Sequence, residues 1–258
     1  MARPRFYVFA YEGSGNLGDA IQTYALCRLL GPFCAGIDRD REMPPDVDTG
    51  VPLVANGWLG YRAHQRPENV LFAGVHLARH ETAFRDWMRR SPHAVGARDP
   101  YTAGLLGALS VPNQLTGCAT LTFDRYCGAR HGRYAIDAPG GAADTEISNS
   151  IGSLSWPEQW ALAEELLAKL RTAEQVTTSR LHIALPCLAF GTPVLFPASC
   201  FASTFEKQRL SLLFHLGFCF DTAVELDVER HGAAYTSFLE AALGPLERTD
   251  RPALPAMC

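Results

Sequence analysis

Lysine is nearly absent, with only Lys169 and Lys207 among 258 residues. Both sit in helix-like stretches, so Schiff-base or pyridoxal chemistry has few candidates. The glycine-rich stretch near the N-terminus lacks the lysine that a P-loop requires. Anion recognition therefore falls to arginine and backbone amides. The eight cysteines, at 27, 34, 118, 127, 187, 200, 219 and 258, form no C-x-x-C pair and no regular spacing. Free thiols in a reducing cytoplasm are expected. The apolar run Phe6 to Ala10 is too short for a secretory leader and reads as a first strand. The longest uncharged run, Leu181 to Phe205, is broken by Pro186, Gly191, Pro193 and Pro197, which spells helix, turn and buried strand rather than a membrane span. No repeat of about 20 to 50 residues occurs. Charge of one sign is also scarce, the net being −4. Up to residue 128 there are 13 arginines against 12 acids, and beyond it 10 basic residues against 15 acids. That balance does not suit a duplex nucleic-acid binder.

What is present is a globular composition, 47% hydrophobic and 19% charged. A chain of this mass buries roughly three quarters of its unfolded surface, enough for a core without staples. Strand and helix signals alternate. Arg5 to Tyr11 is β-prone, Gly13 to Gly18 is a loop, and Ile21, Tyr24, Ala25, Leu29 and Leu30 recur at helical spacing. Short strands follow at Val51 to Ala55, Val70 to Ala73 and Ala94 to Gly96. Between them lie a helix from Glu81 to Arg90, with Phe84, Trp87 and Met88 on one side, and another around Tyr101 to Leu109. Asp124 to Gly132 is weakly patterned and reads as a linker. Beyond it come strands at Tyr134 to Ala138, Ile147 to Ser150, Gln175 to Thr178 and Pro193 to Phe196. Helices are expected from Pro157 to Arg171, Arg180 to Phe190, Glu206 to Leu216 and Ala233 to Leu243, and Pro139-Gly140-Gly141 is a turn. Such order predicts an α/β fold of two Rossmann-like parallel-sheet domains facing across a cleft, residues 1–128 and 129–258, with ligands at the carboxyl ends of the strands.

The sharpest local feature is Thr178-Ser179-Arg180-Leu181-His182, where a strand gives way to a helix. With Ser179 as N-cap, Arg180 and His182 fall in the first turn beside free amides and the positive end of the dipole, an anion site by construction. A surface arginine beside a satisfied histidine fits the same residues about as well, and Pro186 implies a kink or a later start. Gly13, Gly15 and Gly18 match G-x-G-x-x-G, with Asp38 about 20 residues on, so a dinucleotide site stays open beside a plain turn capped by Asp19. Arg98-Asp99 follows a strand and is either a ligand site or an ion-paired helix cap. Asn56-Gly57-Trp58 ends a strand and suits a sugar face or an ordinary turn. His76 and His80 are four apart without the glutamate of a zinc-protease helix, so no metal site is expected. The arginine- and aromatic-rich stretch 84–90 suits a core-facing helix with a solvated basic side better than a membrane-surface helix.

Six motifs stand in an order that resembles the polysaccharide pyruvyl transferase family, specifically its shorter members. They are Gly15-Asn16-Leu17-Gly18-Asp19, Ile37-Asp38-Arg39, Asn56-Gly57-Trp58, Gly96-Ala97-Arg98-Asp99, Thr116-Gly117-Cys118-Ala119-Thr120-Leu121-Thr122, and Thr178-Ser179-Arg180-Leu181-His182 through Gly191-Thr192-Pro193. The resemblance runs from about residue 6 to 216, and its last block is the most specific. It implies a fold like that of GT-B glycosyltransferases, phosphoenolpyruvate as co-substrate with no other cofactor, and a saccharide diol, free or lipid-linked, as acceptor. The product would be a pyruvate ketal. The family's phosphoenolpyruvate-binding arginine and histidine correspond to Arg180 and His182, and a further arginine to Arg98. Arg98, Ser179, Arg180, Leu181 and His182 are then the donor site, with His182 and Arg180 catalytic. Gly15, Asn16, Asp19, Asn56 and Trp58 form the acceptor or cleft loops. Longer members carry a run of glycines where this chain has Asn56-Gly57-Trp58-Leu59-Gly60. A nucleotide-sugar glycosyltransferase and a non-catalytic anion-binding relative are the competing readings.

Overall fold

Every residue of the first strand, Phe6–Ala10, is apolar and buried, the state of a strand covered on both faces of a parallel sheet. The computed structural model describes residues 4–59, 67–78, 82–138, 143–201 and 203–257. The strands, in chain order, are β1 (Phe6–Ala10), β2 (Cys34–Asp38), β3 (Leu53–Leu59), β4 (Val70–Leu77), β5 (Val95–Ala97), β6 (Asn113–Leu115), β7 (Arg133–Ile136), β8 (Thr145–Ile147), β9 (Gln175–Thr178), β10 (Val194–Leu195) and β11 (Ala256–Met257). The helices are α1 (Leu17–Leu30), α2 (Thr82–Arg90), α3 (Pro100–Ala108), α4 (Trp156–Thr172), α5 (Leu181–Phe190), α6 (Thr204–Arg209), α7 (Ser211–His215) and α8 (Glu229–Leu243). Two parallel sheets result, ordered β11-β2-β1-β3-β4-β5-β6 and β10-β9-β7-β8. The α/β class with parallel sheets is as the alternation predicts.

In the first sheet β2 and β3 flank β1 on opposite sides, and in the second β8 and β9 flank β7 in the same way. Each sheet therefore has a point where the strand order reverses, and there the loops at the carboxyl ends diverge and leave a crevice. Alternate residues of β1 serve two cores. Val8 and Ala10 belong to one, while Tyr7 and Phe9 belong to another that holds Phe84, Trp87 and Met88 of α2 and Leu106 of α3. The expected apolar side of the α2 segment is thus buried.

Helical spacing predicts one apolar face for α1, yet all its residues but Arg28 are buried. The reason is its place between the sheets. A single apolar cluster runs from Val8 and Val54 through α1 to Trp160 and Leu167 of α4 and Val176 of β9. Tyr24 meets Trp160 with ring centres 5.1 Å apart. The strands of the two sheets divide within the irregular stretch after β6, but the chain does not stay on the second side. Helix α8 returns to the first sheet, where Tyr235 Oη donates to the carbonyl of Ala73 at 3.1 Å, and β11 pairs with β2. The stretch expected to be a linker is irregular but anchored. The Arg130 guanidinium donates to Thr192 Oγ1 at 2.7 Å and to the carbonyls of Gly191 and Phe190 at 2.8 and 2.9 Å.

Two local expectations change. Asn56-Gly57-Trp58 is not a turn: β3 runs through it, because Gly57 takes φ +83° and absorbs an irregularity opposite β4 between Ala55 and Gly57. Helix α5 passes through Pro186 without ending. The turn expected at Pro139-Gly140-Gly141 lies outside the described residues, as do His80 and Glu81.

Candidate active site

Both reversal points open onto one cleft of about 770 Å³, lined by Ser14, Asn16, Asp19, Arg39, Asp40, Trp58, Arg98, Arg180, Leu181, His182, Phe205, Glu206 and Arg209. The lining comes from the ends of β1, β2, β3, β5 and β9 and from α6. Seven residues singled out in the sequence meet here: Asn16, Asp19, Trp58, Arg98, Arg180, Leu181 and His182.

The first loop is built for this position. Gly15 adopts φ +64°, a region that favours glycine. Asn16 caps α1, its side chain accepting from the Gly18 amide at 3.1 Å. Gly18 then lies against His182, since a Cβ there would stand 3.1 Å from the His182 Cβ and 3.2 Å from Asn16 Oδ1. The loop after β8 fastens this corner from the second sheet. Asn149 Nδ2 donates to Asn16 Oδ1 at 2.6 Å, the Leu17 amide to the Asn149 carbonyl at 3.0 Å, and the Ile151 amide to the Gly15 carbonyl at 2.9 Å.

Ser179 is not the cap of α5. Its hydroxyl donates to the Asp137 carbonyl at 2.6 Å, and Arg180 takes the cap position, its amide donating to Thr178 Oγ1 at 3.0 Å. The Ser179 hydroxyl is committed to Asp137 and so does not reach the amides two or three residues on, and the Thr178 hydroxyl that receives the Arg180 amide itself donates to the Ile136 carbonyl at 3.0 Å. The Arg180 side chain spans the reversal point of the second sheet and pairs with Asp137 at 2.6 Å. Asn56 is likewise not in the lining. It is buried within β3, and its carbonyl accepts from Tyr11 Oη at 3.0 Å.

Arg98 belongs to an ion-paired helix cap, as one of the two readings had it, and it also lines the cleft. Asp99 caps α3 by accepting from the Thr102 amide at 2.9 Å and receives Arg98 Nε at 3.2 Å. Arg98 also donates through Nη1 to His182 Nε2 at 3.3 Å. His76, expected only as half of an unfulfilled metal pair, closes the chain from β4 with Nδ1 2.7 Å from Asp99 Oδ2. Three buried groups and a half-buried one thus run in series: His76, Asp99, Arg98 and then His182. Burial alone would raise the Asp99 carboxyl, but the His76 hydrogen bond and the Arg98 charge outweigh it and bring the pKa down to about 2. Burial, then Arg98, lower His76. Burial, then Arg98 and Arg209, push His182 well below the ordinary histidine value, so its ring is neutral and Nε2 accepts.

Arg209 and Glu206 are cleft residues that the sequence did not mark, and Arg39 was marked only within the Ile37-Asp38-Arg39 motif, with no site role. Arg39 binds Asp40 through Nε and Nη2 at 2.9 and 2.8 Å, donates to the Trp58 carbonyl at 3.0 Å and stacks over Tyr11 at 4.6 Å. Arg209 binds Glu206 Oε2 at 2.7 Å. Asp38, the acid a dinucleotide site would use, instead caps the turn by accepting from the Asp40 amide at 2.8 Å, and it does not line the cleft. Among the described residues no His, Cys, Asp or Glu cluster could hold a metal ion, and no helix is long and apolar enough to cross a membrane.

No family model matches the chain, and no curated protein matches it. Among solved structures it is similar to a crystal structure of an uncharacterized protein from Klebsiella pneumoniae subsp. pneumoniae NTUH-K2044. That likeness has a TM-score of 0.55 and 15% identity, and covers 85% of this chain and 93% of the other. At that identity the likeness concerns the fold.

Proposed function

We propose that the chain is a transferase that takes the pyruvyl group of phosphoenolpyruvate and places it on a saccharide diol as a cyclic ketal. The observation that carries this reading is four arginines, Arg39, Arg98, Arg180 and Arg209, around one cleft at the amino end of α5. A small trianion with two separated anionic groups is what such a cleft holds. Guanidinium forks suit phosphate and carboxylate oxygens, and the first amides of α5 have no partner within the helix. The two similarly wound sheets open toward a shared cleft, which supports the GT-B-like arrangement. Asn16, Asp19 and Trp58 face the donor groups from the first sheet and form the acceptor side.

His182 has a distinct part. Free, it is neutral beside Arg98. A phosphate dianion between the arginines offsets their field and raises the imidazole, so donor binding takes up a proton and readies His182 to protonate C3 as C2 becomes electrophilic. The direct test is thermal stabilisation. Phosphoenolpyruvate should raise the melting temperature more than phosphate, pyruvate or a nucleotide sugar, and by calorimetry in buffers of different ionisation enthalpy its binding should take up protons. Equal stabilisation by phosphate alone would indicate a generic anion site. Stabilisation by nucleotide sugars instead would favour a glycosyltransferase, and donor binding without turnover on any glycoside would favour the non-catalytic relative.

A further inference from the structure

In the same cleft as His182 stands a carboxylate outside the four arginines. Asp19 is 7% exposed, lines the cleft, and sits one residue after the glycine that packs on His182. Beneath it, Gln22 Nε2 donates to Asp19 Oδ1 at 3.4 Å, while Gln22 Oε1 and Asn56 Oδ1 are buried acceptors with no hydrogen-bond partner. Neither Gln22 nor Asn56 lines the cleft, so the carboxylate that a ligand meets on this side is Asp19 itself. We infer that Asp19 is the general base that takes the proton of the attacking acceptor hydroxyl, a role that rests on the transferase reading above.

The step balances. The acceptor O–H bond breaks and its proton passes to Asp19 as its oxygen bonds to C2; C3 receives a proton from His182. The C2–O bond to phosphate then breaks, and the second hydroxyl adds in its place, its proton leaving with phosphate as the hydrogen dianion. Asp19 returns its proton to the imidazole through solvent, so phosphoenolpyruvate and diol give ketal and phosphate with nothing left over. The groups facing Asp19 are Tyr11 after β1, Arg39 and Asp40 after β2, Arg98 after β5, and Ser14 on its own loop. Burial, opposed in part by Arg39, raises its pKa above the usual carboxylate value, which makes it the stronger base once ionised.

The test uses the full chain with phosphoenolpyruvate and the glycoside that supports phosphate release. Asp19→Asn should lower turnover by about 100-fold or more, the scale of a lost general base, while thermal stabilisation by phosphoenolpyruvate is kept. The acid limb of the kcat/KM profile should vanish with it. In Asp19→Ala, added formate should restore part of the turnover, which repair of a merely structural defect would not do. An Asp19→Asn variant with an unchanged acid limb, or one that loses donor binding and turnover together, would overturn the role. No phosphate release by the wild-type protein on any glycoside would instead overturn the transferase reading, and this inference with it.

Discussion

At the scale of single residues, the chain His76, Asp99, Arg98, His182 makes the site sensitive to acid. Folding lowers both histidines, so the unfolded chain binds protons that the native one refuses. Their contribution is present above the ordinary value of 6.5 and is lost as pH falls below it. As pH falls below 6.5 the unfolding free energy should fall, at no more than about 1.4 kcal/mol per pH unit for each histidine. Chemical denaturation between pH 7 and 5 checks it, and His76→Gln should make the slope shallower. Asp99 works in the other window: its contribution holds above 3.8 and is lost as pH falls toward about 2. Asp99→Asn should cost about 3 kcal/mol, because it leaves the buried Arg98 charge without its carboxylate. Arg180→Lys should weaken phosphoenolpyruvate binding by roughly 10-fold, since a planar fork is replaced by a point charge, and titration calorimetry reads this directly.

At the scale of elements, the two sheets meet at the site through the loop that starts α1 and the loop that follows β8. Asn149→Ala removes the donor to Asn16 Oδ1 and should cost about 1 to 2 kcal/mol. Its larger effect should be on donor affinity, because the same asparagine holds the turn that places Gly18 on His182. Gly18→Ala tests that contact. With 3.1 Å to a side-chain Cβ on the facing helix, the ring must shift, and donor affinity should fall while the fold survives.

Elements also show what was legible in the sequence. Gln175 to Thr178 is a strand as read, because β-branched residues there precede a helix of continuous apolar character. Asn56-Gly57 was misleading because the dipeptide that favours a turn also permits the left-handed bulge that keeps β3 paired with β4. The one-faced reading of α1 failed because period alone cannot say that a second sheet covers the other side. Arg180 and His182 were legible through their place at a strand-to-helix junction. Arg209 was not, while Arg39 was marked only within a motif and His76 only as half of a metal pair, since their place in or beside the cleft comes from strand order and from a helix brought over it.

At the scale of the whole molecule, the shared core around α1 and the return of α8 and β11 tie the two sheets together. Unfolding should therefore be a single cooperative transition, and calorimetric and van't Hoff enthalpies should agree. The cleft lies between two parallel sheets whose reversal points face it, and it brings arginines, an imidazole and a buried carboxylate together. The measurement that tests the central claim most directly is incubation of the full chain with phosphoenolpyruvate and a panel of glycosides, following phosphate release and the mass of the sugar product. The account predicts phosphate in step with a glycoside that gains pyruvate less one water, and turnover about 100-fold lower in His182→Asn with donor binding only modestly weakened. Phosphate release that His182→Asn and Arg180→Lys leave unchanged, or no release on any glycoside, would contradict it.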